Sequence, residues 1–164
     1  MRTCLGALAA MSALLPSVAA AQSGTVSASN AEGMARTLSE AGYSVTTETD
    51  SYGDPLLIAD FNGYEGQVIF YGCDEGTHDG CDSVQFTVGL DRRDPMPLAM
   101  VNDLLANERF ISISLDEEGD PWVTWDVVTL GGIPADVFLH AVGQFSAQVE
   151  LVADTVFSEE DPGV

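Results

Sequence analysis

The densest gathering of reactive side chains in this 164-residue chain is Cys73-Asp74-Glu75-Gly76-Thr77-His78-Asp79-Gly80-Cys81, where sulfur, imidazole and carboxylate meet in one short stretch. Two chemistries fit those residue types. A zinc site would use Cys73, His78 and Cys81 with an acidic residue closing a tetrahedron, yet the spacing matches no common zinc module. The other chemistry is a disulfide between Cys73 and Cys81, which in the chain-entropy model stabilises so short a loop by roughly 2 to 3 kcal/mol. Carboxylates also gather at Asp50 with Asp54 and from Asp116 through Asp120. Such oxygens suit calcium, but both groups fall at turns, where Asp and Gly are favoured by their own backbone chemistry. His140 follows Asp136 by one helical turn and reads as a surface pair. The chain contains no G-x-S-x-G, no H-E-x-x-H, no glycine-rich phosphate loop and no EF-hand loop. The expectation is therefore no catalytic residue, no cofactor and no metal site. Trp122, Trp125, Tyr52, Tyr64 and Tyr71 are candidates for a binding face, against the plainer reading that strand aromatics fill a core.

The start of the chain bears on the disulfide. Met1 and Arg2 precede an apolar run from Leu5 to Leu15, and Ala19-Ala20-Ala21 precedes Gln22, the pattern of a secretory signal peptide cleaved after Ala21. Pro16 and the shortness of the run leave too little for the roughly 20 apolar residues of a spanning helix. Cys4 lies before that run and leaves with it. The expected location is periplasmic or secreted, where disulfides persist, so pairing of Cys73 with Cys81 is the adopted reading. The rest divides into a flexible leader at 22–29, one domain at 30–157 and an acidic tail at 158–164. Cleavage removes one arginine and no acid from the net charge of −21, leaving −22 with four arginines and no lysine. That surface repels phosphate backbones and anionic headgroups, which argues against nucleic-acid and membrane partners. It suits solubility in a salty setting, a cationic partner, or divalent ions.

Hydrophobic spacing supplies the elements. Ser29 and Glu32 have the spacing of a capping box, and Met34, Leu38 and Ala41 recur at helical period until Gly42, which predicts a helix over 30–41. Alternation then predicts strands from Tyr43 to Asp50, Leu56 to Phe61, Gln67 to Tyr71 and Ser83 to Leu90, with a tight turn at Asn62-Gly63. Placing Cys73 opposite Cys81 pairs Phe70 with Val84 and Val68 with Phe86, so the large apolar residues share one face. The cysteines then fall on the other face, with Tyr71, Ser83, Gln85 and Thr87. Pro95 and Pro97 open a second helix ending near Asn107. Ile111, Ile113 and Leu115 form a hairpin with Val123, Trp125 and Val127. Pro134 starts a long amphipathic helix bearing Phe138, Val142, Phe145, Val149, Val152 and Val156. The fold class is α+β, with about six antiparallel strands, a meander plus a hairpin, and three helices.

The order of these segments resembles the YbjN domain family. The resemblance rests on Ala41-Gly42-Tyr43, Asp54-Pro55-Leu56-Leu57, Val68-Ile69-Phe70-Tyr71-Gly72-Cys73 and Cys81-Asp82-Ser83-Val84-Gln85-Phe86. It continues through Val101-Asn102-Asp103-Leu104-Leu105, Arg109-Phe110, Asp116 to Asp126 and Gly131-Gly132-Ile133, about residues 30 to 155 in all. It implies a fold similar to type III secretion chaperones and the family label of a sensory transduction regulator. It also implies an unidentified protein partner, a homodimer of the kind common among acidic chaperones, and no catalytic residues. An acidic ion-binding or stress-protective periplasmic protein is the alternative.

Overall fold

The computed structural model describes residues 24–158. The signal peptide expected at 1–21 and all but the first residue of the expected acidic tail lie outside them. Helix α1, Ala31–Glu40, starts one residue later than the capping-box spacing predicts. Asn30 is its N-cap, accepting from the Gly33 amide at 2.9 Å through Oδ1, because an amide oxygen does the work of the hydroxyl assigned to Ser29. The helix stops at Gly42, whose φ of 99° lets Gly42 N–H reach Ser39 O and Tyr43 N–H reach Leu38 O, a Schellman closure.

Four strands follow, β2 (Val45–Thr49), β3 (Pro55–Phe61), β4 (Tyr64–Tyr71) and β5 (Ser83–Gly89), after a short β1 at Thr25–Val26. Asn62 and Gly63 both take positive φ, 57° and 92°, and close β3 on β4 in two residues, as a type I′ turn requires. Val68 faces Phe86 and Phe70 faces Val84, the register set by the apolar pattern. Helix α2 (Leu98–Asn107) carries the chain over to β6 (Ser112–Leu115), which returns as β7 (Pro121–Val128). The six-stranded antiparallel sheet has the order β2-β3-β4-β5-β7-β6. Strand β6 begins later than Ile111, since Phe110 adopts a left-handed φ of 65° and stacks on Trp125 at 5.1 Å with the Arg109 guanidinium 4.7 Å above its ring.

Of the segment expected as a loose leader at 22–29, the described residues 24–29 are built into the fold. Strand β1 pairs with β8, Ile133–Pro134, while Val26 and Ala28 are buried and the Ala28 amide donates to Thr129 Oγ1 at 2.8 Å. Pro134 consequently ends a strand, and helix α3 runs from Ala135 to Ser158, about 36 Å at 1.5 Å per residue. Its Phe138 and Phe145 pack on Phe86 and Phe61. Met34 and Leu38 of α1, Val101 and Leu104 of α2 and the apolar stripe of α3 share one core with Leu57, Val68, Val84 and Val123. The three helices thus cover one face of the sheet. No helix of the described residues is long and apolar enough to cross a membrane.

Candidate functional site

The opposite face of the sheet has no helix over it among the described residues. Strand alternation puts Glu48, Leu56, Ile58, Gln67, Ile69 and Tyr71 there, followed by Ser83, Gln85 and Thr87 and then by Trp122, Asp126 and Val128. Leu56, Ile58 and Ile69 are half-buried, and Tyr71, Trp122 and Val128 are exposed. None of them belongs to the helix-covered core. Gln85 Nε2 donates to Asp126 Oδ1 across the β5–β7 pair at 3.0 Å, so part of this face is tied together by polar contacts.

One end of the face is walled by the turn between β2 and β3. Asp50 Oδ1 accepts from the amides of Tyr52 and Asp54 at 2.8 and 2.9 Å, a side chain replacing backbone partners at a turn. Gly53 takes a φ of 101°, and Tyr52 projects outward, 83% exposed. Between this turn and the outer side of β3 and β4 lies a cavity of about 640 Å³, with Leu56, Gln67, Ile69 and Tyr71 on its sheet side and Asp50, Tyr52 and Asp54 on its rim.

The loop from Cys73 to Cys81 braces that turn. Cys73 and Cys81 have their sulfurs at bonding distance, 2.08 Å. Cys81 is buried in the core, with Cys73 packed against it. This corrects the expectation that the cysteines share the outer face: Gly72 adopts a φ of 68°, which ends the strand alternation before Cys73. Asp74 Oδ1 accepts from the amides of Gly76 and Thr77 and from Thr77 Oγ1. The first two bonds are the largest cause holding its carboxyl below the usual value of 3.8. His78, at a φ of 56°, meets Asp54 Oδ1 through Nδ1 at 2.8 Å. Its ring rests on Gly53, where a Cβ would sit 3.0 Å away. The two sulfurs bond each other and the imidazole turns to Asp54, so these three side chains do not converge on one point. No sequence signal marked the His78 to Asp54 contact, which joins residues 24 positions apart.

The other acidic turn closes on itself. Asp116 Oδ1 accepts from the amides of Glu118 and Asp120, and its Oδ2 accepts from Trp122 Nε1 at 3.1 Å. The Asp120 amide first and the Trp122 indole second hold Asp116 below 3.8. Oxygens of Asp116, Glu118 and Asp120 lie within 4.8 Å of one another. Asp120 Oδ1 already accepts from the Arg92 amide at 2.9 Å. His140 is exposed, and Asp136 Oδ1 accepts from the amide of Val137. Tyr64 and Trp125 pack against the core, whereas Tyr52, Tyr71 and Trp122 stand on the open side.

The family model YbjN, described as "Putative bacterial sensory transduction regulator", matches residues 30–158. The chain belongs to the YbjN family. No curated protein matches it. Among solved structures it is similar to the crystal structure of YbjN from E. coli, at a TM-score of 0.60 and 16% identity, covering 79% of this chain and 92% of that one. It is also similar to an uncharacterized protein from Methanothermobacter thermautotrophicus, at a TM-score of 0.53 and 12% identity, covering 80% and 98%. At such identities the likeness is one of fold. The YbjN domain accordingly spans α1 to α3, and the β1 strand at Thr25–Val26 is added outside the matched residues.

Proposed function

We propose that this YbjN-family chain is an exported, non-catalytic module that binds another protein through the open face of its sheet, in a chaperone-like or regulatory role. The single observation carrying this reading is the uncovered face itself, with Leu56, Ile58, Ile69, Tyr71 and Trp122 lying outside the core that the helices seal. Apolar area left in water by a fold that has three helices available to cover it is the usual mark of a docking surface. The family description as a regulator agrees. The signal-peptide pattern at 1–21 supports export, and the resemblance to chaperones suggests a homodimer as the working unit.

Capture from a periplasmic extract, using the mature chain as bait over a range of salt, tests the proposal. A partner retained by the native chain and lost on Tyr71→Ala supports it. Recovery of no partner at any salt, beside a measured turnover, overturns it. Intact mass reads the export claim, with residues 1–21 absent and two hydrogens fewer than the dithiol. Sizing chromatography reads the dimer. The ion-binding alternative has one observation in its favour, the close oxygens of Asp116, Glu118 and Asp120. Titration calorimetry with calcium and with zinc separates it, since a module that binds only protein gives no heat with either.

A further inference from the structure

We infer that the cavity between Tyr52 and Tyr71 seats a lysine- or arginine-bearing extended segment of the partner protein. The inference rests on the partner-binding reading and adds the place and the chemistry of contact. Leu56 and Ile69 form an aliphatic floor, the surface along which the methylene stem of a long cationic side chain packs. Tyr52 and Tyr71, 83% and 45% exposed, offer aromatic faces, which attract an ammonium or guanidinium lying within about 6 Å of the ring. Asp50 and Asp54 set carboxylates on the rim, and Glu48 shares the outer side with Leu56, its cross-strand neighbour.

Charge decides the sign of the occupant. The chain has 26 acidic residues against five arginines and no lysine, so phosphate and other anions are repelled and few of its own cations compete for the cavity. A wholly apolar occupant would take water from rim carboxylates whose charge is offset only by the turn amides and His78, which is costly. The volume of about 640 Å³ is in the usual range for ligand pockets, roughly 300 to 1,000 Å³, and exceeds a lone side chain. That favours several residues of a polypeptide. The wall is also preset. Asp50 accepts two amides within the turn, and His78 holds Asp54 from a loop closed by the disulfide, so little ordering remains to be done on binding.

Fluorescence anisotropy with three probes tests the inference on the full mature chain: a labelled hexapeptide alternating leucine and arginine, its citrulline counterpart of equal shape without charge, and unlabelled spermidine as competitor. The arginine peptide is expected to bind about tenfold more tightly than the citrulline peptide. It should lose about the same factor on Tyr71→Ala and on Asp50→Asn, which keeps the Oδ1 acceptor for the turn. Val137→Ala, exposed on helix α3 behind the sheet, should leave binding unchanged, and circular dichroism checks that each variant is folded. Equal binding of the two peptides overturns cation recognition. Binding indifferent to both cavity variants means diffuse attraction and overturns the site. Spermidine displacing the peptide at the peptide's own concentration overturns the polypeptide source in favour of free polyamines. A partner captured equally well by native protein and by Tyr71→Ala, with no peptide bound, sinks this inference while partner binding by another surface stands. Failure of capture as well as of the peptide removes both.

Discussion

The two faces of the sheet are made by the same strands and differ in what closes them. On one side Leu57, Phe61, Val68, Phe70, Val84 and Phe86 meet three helices and vanish from solvent. On the other, Leu56, Ile58 and Ile69 lie beside Glu48, Asp60 and Gln67, and Tyr71 and Trp122 remain exposed. The lesson is that the covered face does the folding and the open one is left for contact, since aliphatic side chains set among carboxylates make a poor core and a serviceable binding surface. The loop from Cys73 to Cys81 belongs to both, with its buried cysteine in the core and its His78 bracing the rim of the open side.

The largest effect should come from Phe145, fully buried between Phe61 and Phe86. Phe145→Ala is expected to cost about 3 to 5 kcal/mol in urea unfolding. Tyr71→Ala on the open face should stay within about 0.5 kcal/mol. Equal costs would erase the distinction between the faces.

Next is the loop that spans them. Replacing Cys73 and Cys81 together by alanine should lower stability by roughly 2 to 3 kcal/mol. The Tyr52 amide should also exchange faster with solvent, because the brace on its turn loosens. Unchanged exchange at Tyr52 would separate the loop from the rim.

Two glycines sharpen the comparison further. A Cβ at Gly66 would lie 2.5 Å from Thr87 O and from Val88 Cγ2, against packed core, so Gly66→Ala should cost about 1 to 3 kcal/mol. A Cβ at Gly89 would meet the ring of Trp122 at 3.0 Å, which stands on the open side, 39% exposed. Gly89→Ala should cost less than Gly66→Ala in the same unfolding assay.

The smallest effect is on pH. Asp74 and Asp116 have carboxyls held below 3.8 by amide hydrogen bonds. A depressed folded value means the contribution is complete above the unfolded value and is lost as pH falls through the lowered one. Replacing both by asparagine should lower the melting temperature above pH 3.8, where the carboxylate contribution is present, and leave it nearly unchanged well below 3.8, so that the acid limb flattens. A parallel shift at all pH values would show that the turns depend on something other than carboxylate charge.

Much of this was legible because neighbours along the chain dictate it. The alternation in Val68 to Tyr71 and Ser83 to Val88 sets the β4–β5 register, since a slip of one residue would turn Phe70 and Phe86 into water. Asn62-Gly63 announces its turn because few other residues accept positive φ twice in succession. The strand at Thr25–Val26 is not legible in the sequence because those residues gain their meaning from Ile133 and Pro134, far along the chain. The outer-face assignment of the cysteines failed because one left-handed glycine breaks the parity on which it rested.

By itself, the sequence determined which residues can be strand, helix and turn, which apolar set must be sealed, and a charge that no tertiary arrangement alters. Period and backbone preference are local, so they survive without a structure. Tertiary structure alone decided that all three helices lie on one side, that His78 reaches Asp54, and that Tyr52 and Tyr71 line one cavity. These are placements between distant segments, set by how separate elements share a single core, and no local pattern records them.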